Sequence, residues 1–187
     1  MFSTDARHWR YLVPGHSFIP RGKPGTDWDC CSIFTAKQEG FSRQQQIHAE
    51  NDTLRVYYGG CNGPFFGSRG CAMGVATMQK HGWAGLTATG AEAGHIQVAP
   101  VHVTRKSVMV TLDAPGENGI RVGCVGDPNR TLERSIELRG KLTEAPVLWE
   151  GGLDLSPYMV DEQSRSCGAV TLEFVVPPGA TLFAYAV

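Results

Sequence analysis

Apolar and polar positions alternate in short runs along most of this chain, and no segment holds a helical period over about ten residues. Alternation is clearest at Val108, Met109, Val110, Thr111 and Leu112, and again from Thr171 through Val175. In the first half, strand-like runs fall at residues 30–36 (CCSIFTA), 54–58, 73–78 and 83–86, after a stretch punctuated by Pro14-Gly15, Pro20 and Pro24-Gly25. In the second half they recur at 95–103, 107–113, 119–125, 135–138, 147–149, 169–176 and 181–186, separated by turn signals at 114–119, 126–129 and 177–179. Many short strands without an amphipathic helix predict an all-β protein. The small, polar run 87–94 marks an expected boundary, giving residues 1–88 as one β region and 89–187 as a jelly-roll-like β-sandwich. Trp149, Leu153, Leu155, Phe174, Val176, Leu182 and Tyr185 are its expected shared core.

The most informative stretch of the first half is 53–86. Two strand-like runs flank the glycine-rich segment GGCNGPFFGSRG, which is too long for a two-residue turn and reads as an elaborate hairpin loop. Cys61 and Cys71 bracket that loop at the ends of the paired strands, so they are expected within disulfide range. Residues 37–51 are polar and read as a surface excursion, with a little strand near 45–48.

Composition narrows the function classes. The 187 residues carry a formal charge of −1, with basic residues scattered rather than clustered, which gives no footprint for nucleic acid or an anionic membrane. No apolar run approaches the roughly 20 residues of a membrane span. The first residues hold no apolar signal core, so any secretory address is expected upstream of Met1. Two glycosylation sequons, at Asn51 and Asn129, hint at an extracellular protein. The six cysteines include no Cys-x-x-Cys or Cys/His cluster with zinc spacing, so neither a metal nor a cofactor is expected.

Candidate chemistry is sparse. The loop glycines match neither phosphate-binding signature, and no helix follows them. Asn62, Phe65, Phe66, Ser68 and Arg69 do place donors and aromatic faces together for a neutral polar ligand. Asp27 and Asp29 flank Trp28; Asp27 is expected in a solvated turn after Pro24-Gly25, whereas Asp29 leads into a strand and is better placed to face a cleft. Asp127-Pro128-Asn129 is ordinary turn chemistry, and no nucleophilic triad can be singled out.

Trp28-Asp29, the strand CCSIFTA, LRVYYGGCNGP, SRGCAMGVATM and HGW together resemble the last blade of five-bladed propellers related to glycoside hydrolases, the invertase-like and arabinanase-like superfamily. The later runs VMVTLDAPGENGIRVGCV, RTLERSIELRG, VLWEGGLDLSPY and TLFAYAV resemble the β-sandwich that follows such a propeller. The resemblance covers nearly the whole chain. It implies one propeller-blade-like antiparallel sheet followed by a sandwich, in a protein whose parent hydrolyses glycosidic bonds with two carboxylates. The superfamily's catalytic carboxylates lie in blades that this chain lacks. The resemblance therefore implies a non-catalytic part that meets a glycan through Trp28, Asp29, Asn62, Phe65, Phe66 and Arg69, with unpaired blade edges open to self-association. The alternative is a stand-alone carbohydrate-binding or structural sandwich.

Overall fold

The computed structural model describes residues 5–35, 47–64, 69–152, 154–159 and 168–187. The protein is all-β, its strand pairs are antiparallel, and the described residues hold no helix beyond a single 3-10 turn at Ser156–Tyr158. It divides into two compact units, Met1–Thr77 and Met78–Val187.

The first unit is built on a long hairpin, β3 (Thr53–Cys61) and β4 (Cys71–Gln79, which runs across the division), with β1 (Ser32–Thr35) and β2 (Ile47–Glu50) also paired to β3. β1 faces Tyr58 through Cys61, and β2 faces Thr53 through Val56. The nine-residue β4 accompanies the nine-residue β3, so β1 and β2 share β3's other edge end to end. Asn51 and Asp52 make the two-residue turn between Glu50 and Thr53, with Asn51 at φ 51°, a left-handed conformation that asparagine tolerates. The hairpin closes as the sequence predicts: Cys61 and Cys71 form a disulfide with their Cα atoms 4.2 Å apart. β1 begins at Ser32 rather than at Cys30, because the chain bends at Cys30 and Cys31.

The second unit contains β5 (Leu86–Thr87), β6 (Gly94–Gln97), β7 (Val101–His102), β8 (Met109–Ala114), β9 (Arg121–Cys124), β10 (Gly140–Pro146), β11 (Ala169–Val170), β12 (Leu172–Val176) and β13 (Thr181–Ala186). One sheet has the order β10-β8-β13-β5, a second β6-β12-β9, and β11 pairs β7. Alternation does the sorting. On β12, Leu172, Phe174 and Val176 point inward, while Glu173 and Val175 stay half-buried. They meet Val110 and Leu112 of β8, Val122 of β9, and Trp149 and Leu155 from the connections in one core. Burying each such side chain stabilises the fold by about 1.5–3 kcal/mol. Tyr185, expected in this core, is instead 38% exposed. It stands three positions from Leu182, an odd spacing that does not share a strand face, and β13 shifts register between Leu182 and Ala184. Its ring still touches Phe174, with centroids 5.5 Å apart. Leu153 lies outside the described residues.

Candidate functional site

In the first unit three side chains converge on the hairpin. The rings of Trp28 and Tyr58 stack at 5.8 Å between centroids with a 20° interplanar angle. The Tyr58 hydroxyl donates to Asp29 Oδ2 at 2.8 Å. That hydrogen bond, then burial and the Asp29 charge, push the Tyr58 phenol above its ordinary pKa, so the hydroxyl stays a donor. Gly60 makes the approach possible. A Cβ there would stand 2.6 Å from Asp29 Cβ and 2.7 Å from Trp28 Cζ3, closer than any real side chain sits. Trp28 remains 39% exposed beside that carboxylate.

The other residues singled out from sequence hold the loop together. Asn62 clamps Gly70 from both sides: its N–H donates to the Gly70 carbonyl at 3.0 Å, and its Oδ1 accepts from the Gly70 N–H at 2.8 Å. Arg69 Nη1 donates to the Pro64 carbonyl at 2.9 Å. Phe65, Phe66 and Ser68 lie outside the described residues. Asp27 is a turn residue, as expected; its Oδ2 accepts from the Lys23 N–H at 2.7 Å. It nonetheless shares a neighbour with Asp29. A Cβ on Gly22 would meet Asp29 Oδ1 at 2.5 Å and Asp27 Oδ2 at 2.8 Å. Both carboxylates therefore pack against the same backbone residue, Gly22.

The second unit holds a cluster that the alternation of the strands does not reveal. β10 shifts register between Leu142 and Ala145, and β13 between Leu182 and Ala184, both at the level of Thr111 and Leu112 on β8. A notch of about 210 Å³ opens there, lined among others by His81, Arg105, Thr111, Glu144 and Tyr185. His81 and Glu144 are non-glycine residues with φ of 64° and 48°, strain of the sort that collects at functional sites. Glu144 accepts from Lys80 Nζ at 2.6 Å and meets His81 Nε2 at 3.3 Å; the Lys80 hydrogen bond and charge hold its carboxyl below the usual range. Beneath it, buried Gln79 donates to the carbonyls of Leu112 and Leu142 and to Thr143 Oγ1, leaving its Oε1 without a partner among the described residues.

A third polar cluster is structural. Asp127 and Arg130 are both buried and paired at 2.6 Å. Asp127 Oδ2 also accepts from the Tyr158 hydroxyl at 2.6 Å, and its Oδ1 from the Asn129 N–H at 2.8 Å. Burial raises the Asp127 carboxyl, but the hydrogen bonds from Tyr158, Asn129 and Arg130 outweigh it and leave the pKa lowered. Arg130 caps the Asp154 carbonyl through Nε and Nη2 and lies over the Tyr158 ring. Asp127-Pro128-Asn129 is turn chemistry, as the sequence indicates, and the hydrogen bonds of Arg130 to the Asp154 carbonyl and of Tyr158 to Asp127 fasten the turn to the segment around Asp154.

Among the described residues no group of three or more His, Cys, Asp or Glu could hold a metal ion, and no helix is long and apolar enough to cross a membrane. No protein-family model, curated protein or solved structure matches the chain.

Proposed function

We propose that this chain is the carbohydrate-binding C-terminal part of a glycosidase-like protein, and that it contributes sugar contacts and a sandwich module rather than the catalytic pair. The observation that carries this reading is the Trp28–Tyr58–Asp29 group: an exposed indole stacked on a second ring, beside a carboxylate fixed by a tyrosine hydroxyl. A pyranose presents an apolar C–H face and a rim of hydroxyl donors. The ring takes the first and the carboxylate the second. Two further features fit. The hairpin sheet leaves Phe34, Ile47, Tyr57, Met73 and Val75 exposed, the apolar surface that a propeller blade without its neighbours would leave. The chain also has two strand-built units in succession, as the resemblance expects of a blade and a sandwich. Glycosidic cleavage needs two carboxyl groups about 5–9.5 Å apart with the bond between them. Asp27 and Asp29, the two acidic candidates, both pack against Gly22.

The test is titration of the pure chain with a panel of neutral oligosaccharides, together with turnover assays on aryl glycosides. Binding that weakens at least about tenfold in Trp28→Ala, a loss of about 1.4 kcal/mol, is the expected result, with no turnover. Binding indifferent to Trp28→Ala would sink the reading. Turnover that disappears in Asp29→Ala would make Asp29 catalytic.

A further inference from the structure

Neighbouring residues in an extended strand point to opposite faces. Cys30 and Cys31 do not. The chain bends at both, and their Sγ atoms lie 2.9 Å apart on one side. The bend is pinned from three directions. The Cys31 N–H donates to the Cys61 carbonyl at 3.1 Å, Arg21 Nη1 donates to the Cys31 carbonyl at 3.4 Å, and Cys30 Sγ reaches the Asn62 carbonyl at 3.8 Å. Access is graded between the two thiols. Cys30 is only 6% exposed, whereas Cys31 is half-buried. Both line a cleft beside His16, Arg21 and Pro64, and Cys31 also lines a second one beside Ile19 and Phe34. Both are free thiols, in the same unit as the closed Cys61–Cys71 bridge.

We propose that Cys30 and Cys31 form a thiol–disulfide exchange site whose co-reactant is a small-molecule disulfide admitted through these clefts. Cys31, the accessible thiol, loses its proton and attacks one sulfur of the small disulfide. A mixed disulfide forms on Cys31, and one small thiolate leaves and takes up that proton. Cys30 then loses its proton and attacks Cys31 Sγ from the adjacent position; the second small thiolate leaves and is protonated in turn. Two protein thiols are oxidised to one disulfide, and one small disulfide is reduced to two thiols. A bridge between adjacent residues closes a small, constrained ring, so it reopens under milder reduction than the hairpin bridge does. The free pair and the permanent bridge thus have separate roles.

The experiment incubates the whole protein in buffers of graded reduced-to-oxidised glutathione, quenches with acid, alkylates and maps the peptides. The peptide carrying Cys30 and Cys31 is expected to lose both alkylatable thiols while retaining no glutathione. It should regain both in more reducing buffer, with Cys61–Cys71 closed throughout that range. Cys124, 3% exposed within the core of the second unit, is the inaccessible internal control. In Cys30→Ser, glutathione should stay trapped on Cys31. A second readout needs no variant: phenylarsine oxide should add across the reduced pair with loss of water, and should not add to the oxidised protein. Glutathione accumulating on wild-type Cys31, both thiols surviving in oxidising buffer, the hairpin bridge opening first, or arsenical uptake unchanged by oxidation would each overturn the proposal.

Discussion

Trp149 donates its indole Nε1–H to the main-chain carbonyl of Val122 at 2.9 Å while being only 1% exposed. One side chain therefore fills the largest volume in the core of the second unit and also satisfies a β9 carbonyl. Trp149→Ala should cost about 3–5 kcal/mol in equilibrium denaturation, as for other buried aromatic truncations. Trp149→Phe separates the two contributions. It keeps most of the apolar volume but leaves the Val122 carbonyl unpaired, at an expected cost of about 1–3 kcal/mol. A loss below about 1 kcal/mol for the alanine variant would place the indole outside the core.

The Asp127–Arg130 pair gives a prediction with a sign at each end of the pH scale. The Asp127 carboxyl is lowered in the fold, so its contribution is present above the ordinary aspartate value of about 3.9 and is lost as pH falls through the lowered value. The Tyr158 phenol is pushed up to about 12, first by burial and then by its hydrogen bond to Asp127. Its contribution is present below the ordinary tyrosine value of about 10 and fades as pH rises through the folded one. Arg130→Met should cost about 3–5 kcal/mol at neutral pH, because it leaves a buried carboxylate unpaired. The double variant Asp127→Leu with Arg130→Met should cost less than that single change. A double variant as unstable as the two single changes added together would mean that the two residues act independently.

Reduction of the Cys61–Cys71 bridge should destabilise the first unit by about 2–3 kcal/mol, the chain-entropy value for a loop of this length. Amide exchange on β3 and β4, compared with and without reductant, reads this out. Unchanged protection would show that strand pairing alone sets the stability of the hairpin.

The elements that the sequence makes legible are those that local rules decide. The alternation on β12 names its inward residues, and the cysteines at either end of the loop name their own bridge. What escapes a linear reading depends on register and bending. Tyr185 reads as core because it belongs to an apolar strand, yet strand parity and a register shift turn it outward. The notch around Glu144 exists because two strands shift at the same level on either side of β8, and no single strand records that coincidence. Tyr58 looks like one more strand aromatic; only the pairing that sets Trp28 and Asp29 over Gly60 makes it the centre of a side-chain cluster. Cys30 and Cys31 read as the start of a buried strand, and a bend turns them into a facing pair.

The exposed apolar face of the hairpin sheet should make the isolated chain self-associate. Met73 and Val75 sit two apart on β4 and are both exposed, so they occupy one face. Sedimentation of the wild type should show concentration-dependent association, and Met73→Glu with Val75→Lys should abolish it without changing the far-ultraviolet spectrum. A wild type that stays monomeric at high concentration would remove this support for a blade that lacks its neighbours.

Gly60→Ala tests the Trp28–Tyr58–Asp29 group without deleting any of its side chains. The added methyl would stand 2.6 Å from Asp29 Cβ and 2.7 Å from the Trp28 ring, so the segment carrying both must move off the strand. Because Tyr58 holds Asp29 by a hydrogen bond and Trp28 by stacking, displacement at Gly60 breaks both links together. A hydrogen bond to a charged group contributes about 1.5–3 kcal/mol and a stacked pair about 0.5–1.5 kcal/mol. Solvent at this half-exposed site reduces both, so a stability loss of about 1–2 kcal/mol is expected. The phenol gives a more specific signal. Once freed from Asp29, Tyr58 should ionise at lower pH than in the wild type, since the hydrogen bond is the foremost cause of its raised pKa. An ultraviolet titration of tyrosinate, with Tyr58→Phe to assign the transition, measures this directly. If Gly60→Ala leaves that transition where it is in the wild type, the Trp28–Tyr58–Asp29 group does not depend on the close approach at Gly60.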